Sequence, residues 1–327
     1  MNTNLTINIG KDEYGQDLVL ELNNVGKHLL MAGATGSGKS TLIHRIITTL
    51  ISNNSPEALR LILIDPKRVE LTMYKNISHI LTPTIVEPRK ALLALKWVTK
   101  EISRRYDVLE QAGFTYVDDY KGKGNMPHIV AVVDEFSDLM QTYPKEIEEV
   151  VMKIAQMGYA VGVHIILSTS RPSTKIYTKK ILDEITAHIA LQTGSPQDSK
   201  LIIGTEDAYK LRGAGDILFR DGMKYAIRAQ VDPISEKEIK EIVKLIQGKY
   251  KEDTSVDLSA DDSPEESDDM YESVKEAVME AGKVSTSYIQ RKFGLGYSRS
   301  AQLMDMLERH GIIGPANGSK PREVIKK

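Results

Sequence analysis

His28-Leu-Leu-Met-Ala-Gly33-Ala-Thr-Gly-Ser-Gly38-Lys39-Ser40-Thr41 runs from an apolar strand through a glycine-rich turn into a helix expected to begin at Ser40. The stretch fits the P-loop pattern G-x-x-x-x-G-K-[ST]. Gly33, Gly36 and Gly38 free the backbone to wrap phosphates with its N–H groups, and the helix behind them turns its positive dipole end the same way. In such a cradle Gly33, Ala34, Thr35, Gly36, Ser37 and Gly38 line the nucleotide. Lys39 reaches its β- and γ-phosphates, Ser40 ligates Mg²⁺ through its hydroxyl, and Thr41 supports it from the next position. A strand before the turn and a helix after it are both legible, which sets the segment apart from a loop that merely reverses the chain.

Outward from this centre, His128-Ile-Val-Ala-Val-Val133-Asp134-Glu135 is an apolar strand ending in two adjacent carboxylates, the form of a Walker B element. The chemistry uses both: Asp134 beside Mg²⁺ and near the nucleotide, Glu135 polarising the attacking water. Adjacent acids after a strand are weak evidence alone. About a hundred residues beyond a P-loop, with the strand Leu59-Arg-Leu-Ile-Leu-Ile64 between, they are strong. That intervening strand stops at Asp65-Pro66-Lys67 and carries charge at its C-terminal edge, where open parallel sheets place ligands.

Further strands follow at Val163 to Ser170, whose polar end suits a group sensing the γ-phosphate, and at Ala187 to Gln192. Gly215 to Phe219 and Lys224 to Arg228 read as a hairpin turned at Asp221-Gly222. Residues 5–22 alternate apolar and polar positions and read as a short hairpin beside the core. Amphipathic helices are expected from about Arg89 to Ala112, from Phe136 to Gly162 with a break at Tyr143-Pro144, and from Glu236 to Gly248. Arg104 and Arg105 read as a solvated cationic face near the end of the first of these. The alternation is that of an α/β P-loop domain, a RecA-like parallel sheet, over residues 1–250.

The chain has 327 residues with 41% hydrophobic content, room for one large core and one small one. It has no cysteine, so a disulfide framework is excluded and a reducing, cytoplasmic setting is the natural one. No window reaches the ~18 uninterrupted apolar residues of a spanning helix, and the N-terminus lacks a basic region with a long apolar run; no membrane segment or signal peptide is expected. Seven histidines are scattered without metal-ligand spacing and read as structural or surface residues. The overall balance of 43 basic against 45 acidic residues conceals a segregation. Residues 251–270 hold nine acidic residues against one basic and read as a disordered linker. Residues 271–327 reverse the sign, with ten basic against six acidic.

That last segment reads as three short helices, Tyr271 to Ala281, Ser285 to Phe293 and Ser298 to His310, followed by a wing: a winged helix-turn-helix. Its recognition helix would place Ser298, Arg299 and Gln302 in the major groove, and Lys320 and Arg322 on the wing would meet phosphates. A winged helix that binds protein instead of DNA is the alternative.

Together these residues resemble the FtsK/SpoIIIE family of double-stranded DNA translocases, through His28 to Ser40, Ile64-Asp-Pro-Lys67, Leu81-Thr-Pro83, Val133-Asp-Glu-Phe136, Arg171-Pro-Ser173 and Gly215-Asp-Ile-Leu218. Ile289 to Arg299 and Gly318 to Val324 look like the family's DNA-orienting γ domain. The resemblance implies a homo-hexameric ring around duplex DNA driven by ATP and Mg²⁺, with γ modules reading short G-rich sequences and a site-specific recombinase as a further partner. The chain departs from the family at three motor positions: Tyr159 stands in place of an arginine, Pro196 of a lysine and Ser170 of a glutamine. The first two are expected to reach a neighbour's nucleotide, and an arginine finger contributes a factor of ~10³ to 10⁵ in rate. Arg212, Lys200 or Arg171 would have to substitute, or hydrolysis would be slow. Ser298 also replaces an asparagine of some members. A translocase is therefore the first expectation and an ATP-binding DNA clamp with weak turnover the second. Coupling proteins and packaging ATPases come third and lack the γ tail.

Overall fold

The computed structural model describes residues 3–23, 28–120, 124, 126–222, 225–250, 270–295, 300, 303, 304, 306–308, 310–315 and 321–325. The chain divides into two compact units, residues 1–261 and 262–327. The expected linker lies, except for Met270, outside the described residues.

The first unit is built on one nine-stranded sheet. Its centre is five parallel strands in the order β4 (Leu59–Ile64), β5 (His128–Val133), β6 (Val163–Thr169), β3 (Leu29–Ala32) and β7 (Ala187–Leu191). Every residue of these strands is buried, the mark of a sheet covered on both faces. One face packs under α1 (Lys39–Asn53) and α7 (Glu236–Lys249), with Ile43, Ile47, Ile239 and Val243 against Leu29, Leu61 and Ile166. The other lies under α2 (Pro88–Ala112), α3 (Phe136–Thr142), α4 (Pro144–Met157), α5 (Lys179–Glu184) and α6 (Pro196–Ile203). Pro144 opens α4 as its first residue, which explains the break expected at Tyr143-Pro144.

Beyond β7 the sheet turns antiparallel through β8 (Asp216–Asp221) and β9 (Ile227–Gln230), the expected hairpin. The expected N-terminal hairpin forms from β1 (Thr6–Asp12) and β2 (Asp17–Glu21). It extends the same sheet, with Lys11 opposite Gln230 and Asp12 opposite Ala229.

One expectation needs correction. Arg104 is solvated, but Arg105 is buried: its Nε bonds Glu101 at 2.8 Å and its Nη1 donates to the carbonyl of Val161 at 2.8 Å. Helical spacing turned Arg105 inward beside Ile102 and Leu109, and a paired guanidinium is tolerated there. Among the histidines, six are buried and act as internal hydrogen-bonding groups; His310 alone is exposed.

The second unit has α8 (Tyr271–Ala281), α9 (Thr286–Phe293) capped by the Ser285 side chain, and helical residues at 300, 303–304 and 306–308. Strands β10 (Lys283–Val284) and β11 (Arg322–Glu323) pair antiparallel, and Val274, Val278, Ile289, Leu303 and Leu307 form its core. This is the winged-helix arrangement. Among the described residues, no helix is long and apolar enough to cross a membrane.

Candidate active site

The C-terminal ends of β3, β4, β5 and β6 open on one edge of the sheet, so Gly33, Asp65, Asp134 and Ser170 meet there although they are far apart in sequence. A cavity of about 440 Å³ lies at this edge, lined by 34–36, 38–41, Lys67, Val69, Glu70, Asp134, Glu135, Ser170 and Ala214. Helix α1 starts at Lys39, one residue before the expected Ser40, with Gly38 as its N-cap at φ 99° and no side chain capping it. The backbone N–H groups of Gly36, Gly38, Lys39 and Ser40 have no partner among the described residues and are available to an anion. Gly33 cannot be larger, because a Cβ there would stand 2.6 Å from both the Ser37 hydroxyl and the Leu191 side chain. The loop 213–215 braces the turn from outside, the Gly215 N–H donating to the Ser37 carbonyl at 2.9 Å.

The charged groups in the cavity are paired with each other. Lys39 Nζ stands 2.6 Å from Asp134 Oδ1, which also accepts from Ser168 Oγ at 3.1 Å. Glu135 begins α3 in the left-handed region, φ 53°, and this turn swings its side chain back over the sheet edge. Its Oε1 accepts from Ser137 Oγ and Thr169 Oγ1, both at 2.7 Å, and from the Ser170 N–H at 3.0 Å. Its Oε2 accepts from Lys67 Nζ and Ser170 Oγ, both at 2.5 Å. Burial raises the pKa of Glu135, but the donors, Lys67 foremost, outweigh it and hold the carboxyl well below the ordinary glutamate range. Ser40 Oγ donates to Glu70 Oε1 at 2.5 Å.

Of the motor residues expected from sequence, Ala34, Thr35, Gly36, Gly38, Lys39, Ser40, Thr41, Asp134 and Glu135 line one cavity, whereas Gly33 and the buried Ser37 shape the turn from behind it. Lys67 and Glu70 join them from the β4 loop and Ala214 from the loop before β8, while Ser137 and Thr169 hold Glu135 by hydrogen bonds. The signals for the first two were the charged turn after β4 and, for Lys67, the motif Ile64-Asp-Pro-Lys67. A hydroxyl and carboxylates without sulfur or imidazole form a donor set suited to a hard divalent cation, so Ser40 and Asp134 fit Mg²⁺. Among the lining residues two lysines face three carboxylates and no arginine is present. Tyr159 sits before β6, at the opposite edge of the sheet, its ring 6.1 Å from that of Tyr116. Pro196 is the first residue of α6, Lys200 pairs with Glu206, and Arg212 is largely exposed beside Asp216. The Arg171 side chain is exposed at the end of β6 next to Ser170.

In the second unit Ser298, Arg299, Gln302 and Lys320 lie outside the described residues. Arg322 does not face outward as expected: its guanidinium is bound to Glu308, which ties the wing to the last helix.

The pattern of the FtsK/SpoIIIE family matches residues 2–126 and 123–174, and that of the Ftsk gamma domain matches residues 265–327. Similar proteins include the DNA translocase FtsK of Clostridium tetani (strain Massachusetts / E88), 40% identical over 99% of this chain and 46% of that protein. Another is the DNA translocase FtsK of Staphylococcus aureus (strain Mu50 / ATCC 700699), 39% identical over 99% of this chain and 43% of that protein. The chain thus spans less than half the length of these curated relatives. Among solved structures, the cytoplasmic domain of the Thermomonospora curvata type VII secretion ATPase EccC superimposes with a TM-score of 0.68 at 26% identity, over 78% of this chain and 32% of that one. The pCW3 conjugation coupling protein TcpA, with ATPγS, shares the fold at a TM-score of 0.65 and 22% identity, over 75% and 71%.

Proposed function

This chain belongs to the FtsK/SpoIIIE family, and we propose that its first unit is an ATP-hydrolysing motor that moves duplex DNA. We place it in a homo-hexameric cytoplasmic ring, with the second unit reading short DNA sequences to set direction. The supporting observation is the meeting of Lys39, Ser40, Asp134 and Glu135 in one cavity at the sheet edge. Lys39 exchanges Asp134 for the β- and γ-phosphates as ATP enters, and the free N–H groups of Gly36, Gly38 and Ser40 hold the phosphate oxygens. Ser40 and the released Asp134 would hold Mg²⁺, which would supply charge neutralisation on the phosphates. Glu135, freed from Lys67, orients a water for in-line attack on the γ-phosphorus, and the bond to the bridging oxygen breaks to leave ADP and phosphate. Little covalent work falls to Glu135, because the transition state is loose and positioning dominates.

In the second unit Ser298, Arg299 and Gln302 are assigned to base edges and Lys320 to phosphates, with Arg322 acting as a brace. A site-specific recombinase as partner of this unit rests on the family alone.

Tyr159 and Pro196, standing where the family has a basic residue expected to reach a neighbour's nucleotide, favour a second reading, a clamp that binds nucleotide and turns over slowly. Steady-state ATPase rate with and without long duplex DNA separates the two: strong stimulation supports the motor, and binding without stimulation supports the clamp. Lys39→Ala is expected to abolish nucleotide binding. Glu135→Gln should keep binding and lose turnover by ~10²-fold or more, and a parental rate in that variant refutes the assignment.

A further inference from the structure

The loop after β4 turns back on itself at Asp65. Its Oδ2 accepts the N–H groups of Glu70 at 2.9 Å and Leu71 at 3.0 Å, which presents the Glu70 side chain to α1. There the carboxylate spans one helical turn, Oε1 on Ser40 Oγ at 2.5 Å and Oε2 on His44 Nε2 at 3.2 Å. The other ring nitrogen of His44 is 2.8 Å from the Tyr74 hydroxyl. A carboxylate only accepts, so in the neutral ring Nε2 carries the hydrogen and Nδ1 accepts from Tyr74. His44 is 7% exposed and Tyr74 fully buried in the core beneath α1, so the chain of bonds ends on a fixed point. The motor chemistry described above uses none of these three residues.

We propose that Glu70, held by His44 and Tyr74, is the positioning residue of the divalent-cation site. It takes the hydroxyl proton of Ser40 as a hydrogen bond, so that the Ser40 lone pairs face the cavity and the cation. A hydroxyl has one hydrogen and two lone pairs, so fixing the hydrogen fixes the lone pairs. The negative acceptor also makes the oxygen a stronger donor to a metal, an effect usually worth ~10- to 100-fold in metal affinity. Lys39, by contrast, is bonded to Asp134 and not to Glu70, so the two carboxylates divide the work: one exchanges with the lysine, the other stays on Ser40.

The inference rests on reading the cavity as an Mg²⁺-nucleotide site, and its test keeps the two apart. Affinity of the full chain for a fluorescent ADP analogue is measured in EDTA and in saturating Mg²⁺, and the ratio of the two is the readout. If the parent chain shows no gain from Mg²⁺, the cation site itself fails. If it does, Glu70→Ala is expected to cut that gain ~10-fold or more while metal-free affinity is unchanged or tighter. Tyr74→Phe, which removes only the anchoring hydroxyl, should cut it a few-fold. Glu70→Gln keeps the shape and an acceptor but not the charge, and stands in should Glu70→Ala fail to fold; its gain should fall between the two. A parental gain in the Glu70 variants, or an equal loss of affinity with and without Mg²⁺, overturns the proposal.

Discussion

His28 stands one residue before β3, and its ring closes two open ends at once. Nδ1 accepts the N–H of Ile165 at 3.0 Å, one position short of Ile166, where the pairing of β6 with β3 begins. Nε2 therefore carries the hydrogen and donates to the Ala155 carbonyl at 3.1 Å, one of the last carbonyls of α4. Burial disfavours the imidazolium, and the Ala155 bond offsets this only in part, so the pKa is lowered from 6.5 to about 4. The unfolded chain takes up this proton near pH 6.5 and the folded chain only near 4. The contribution is intact above pH 6.5 and is lost as pH falls, by about 2 kcal/mol between pH 7.5 and 5. His28→Leu leaves the Ile165 N–H and the Ala155 carbonyl buried without partners, which costs about 3 kcal/mol at pH 7.5. The variant has no proton to refuse, so the gap to the parent should narrow to about 1 kcal/mol at pH 5. Urea unfolding followed by fluorescence measures both values, because the single tryptophan, Trp97, packs against the core of the first unit. His79 and His188, also held low by burial, titrate in both proteins and cancel in the difference. A gap that is the same at the two pH values would refute the neutral, doubly bonded ring.

Gly38→Ala should be worse than Gly36→Ala, although both have positive φ, because a Cβ at 38 would stand 2.3 Å from the Gly215 nitrogen while position 36 is open. An added loss of at least ~1.4 kcal/mol, or tenfold, in nucleotide affinity by titration is expected, and equal effects would remove the 213–215 brace from the account. Tyr159→Arg, alone or with Pro196→Lys, should raise the DNA-stimulated ATPase rate at least ~tenfold by restoring a cation to the ring interface. A fast parent unmoved by the change would end the idea of a weakened motor and turn attention to Arg171 and Arg212.

The parts of this protein that were legible in its sequence are those that local chemistry decides. A glycine-rich turn between a strand and a helix, two acids at the end of an apolar run, an Asp-Gly hairpin and a change of charge sign near residue 270 each depend on neighbours within a few residues. The pairings at the site depend instead on strand order. Glu70 meets Ser40 and Lys67 meets Glu135 only because β4, β5, β6 and β3 lie side by side with their C-terminal ends aligned. Burial acts in the same way: it turned Arg105 from an expected surface charge into an internal anchor and made the scattered histidines into bonds between distant segments. Glu70 with Ser40 and His28 with Ile165 join residues 30 and 137 positions apart, separations over which periodicity and turn chemistry carry no information, so these contacts are set by the packing of the finished sheet.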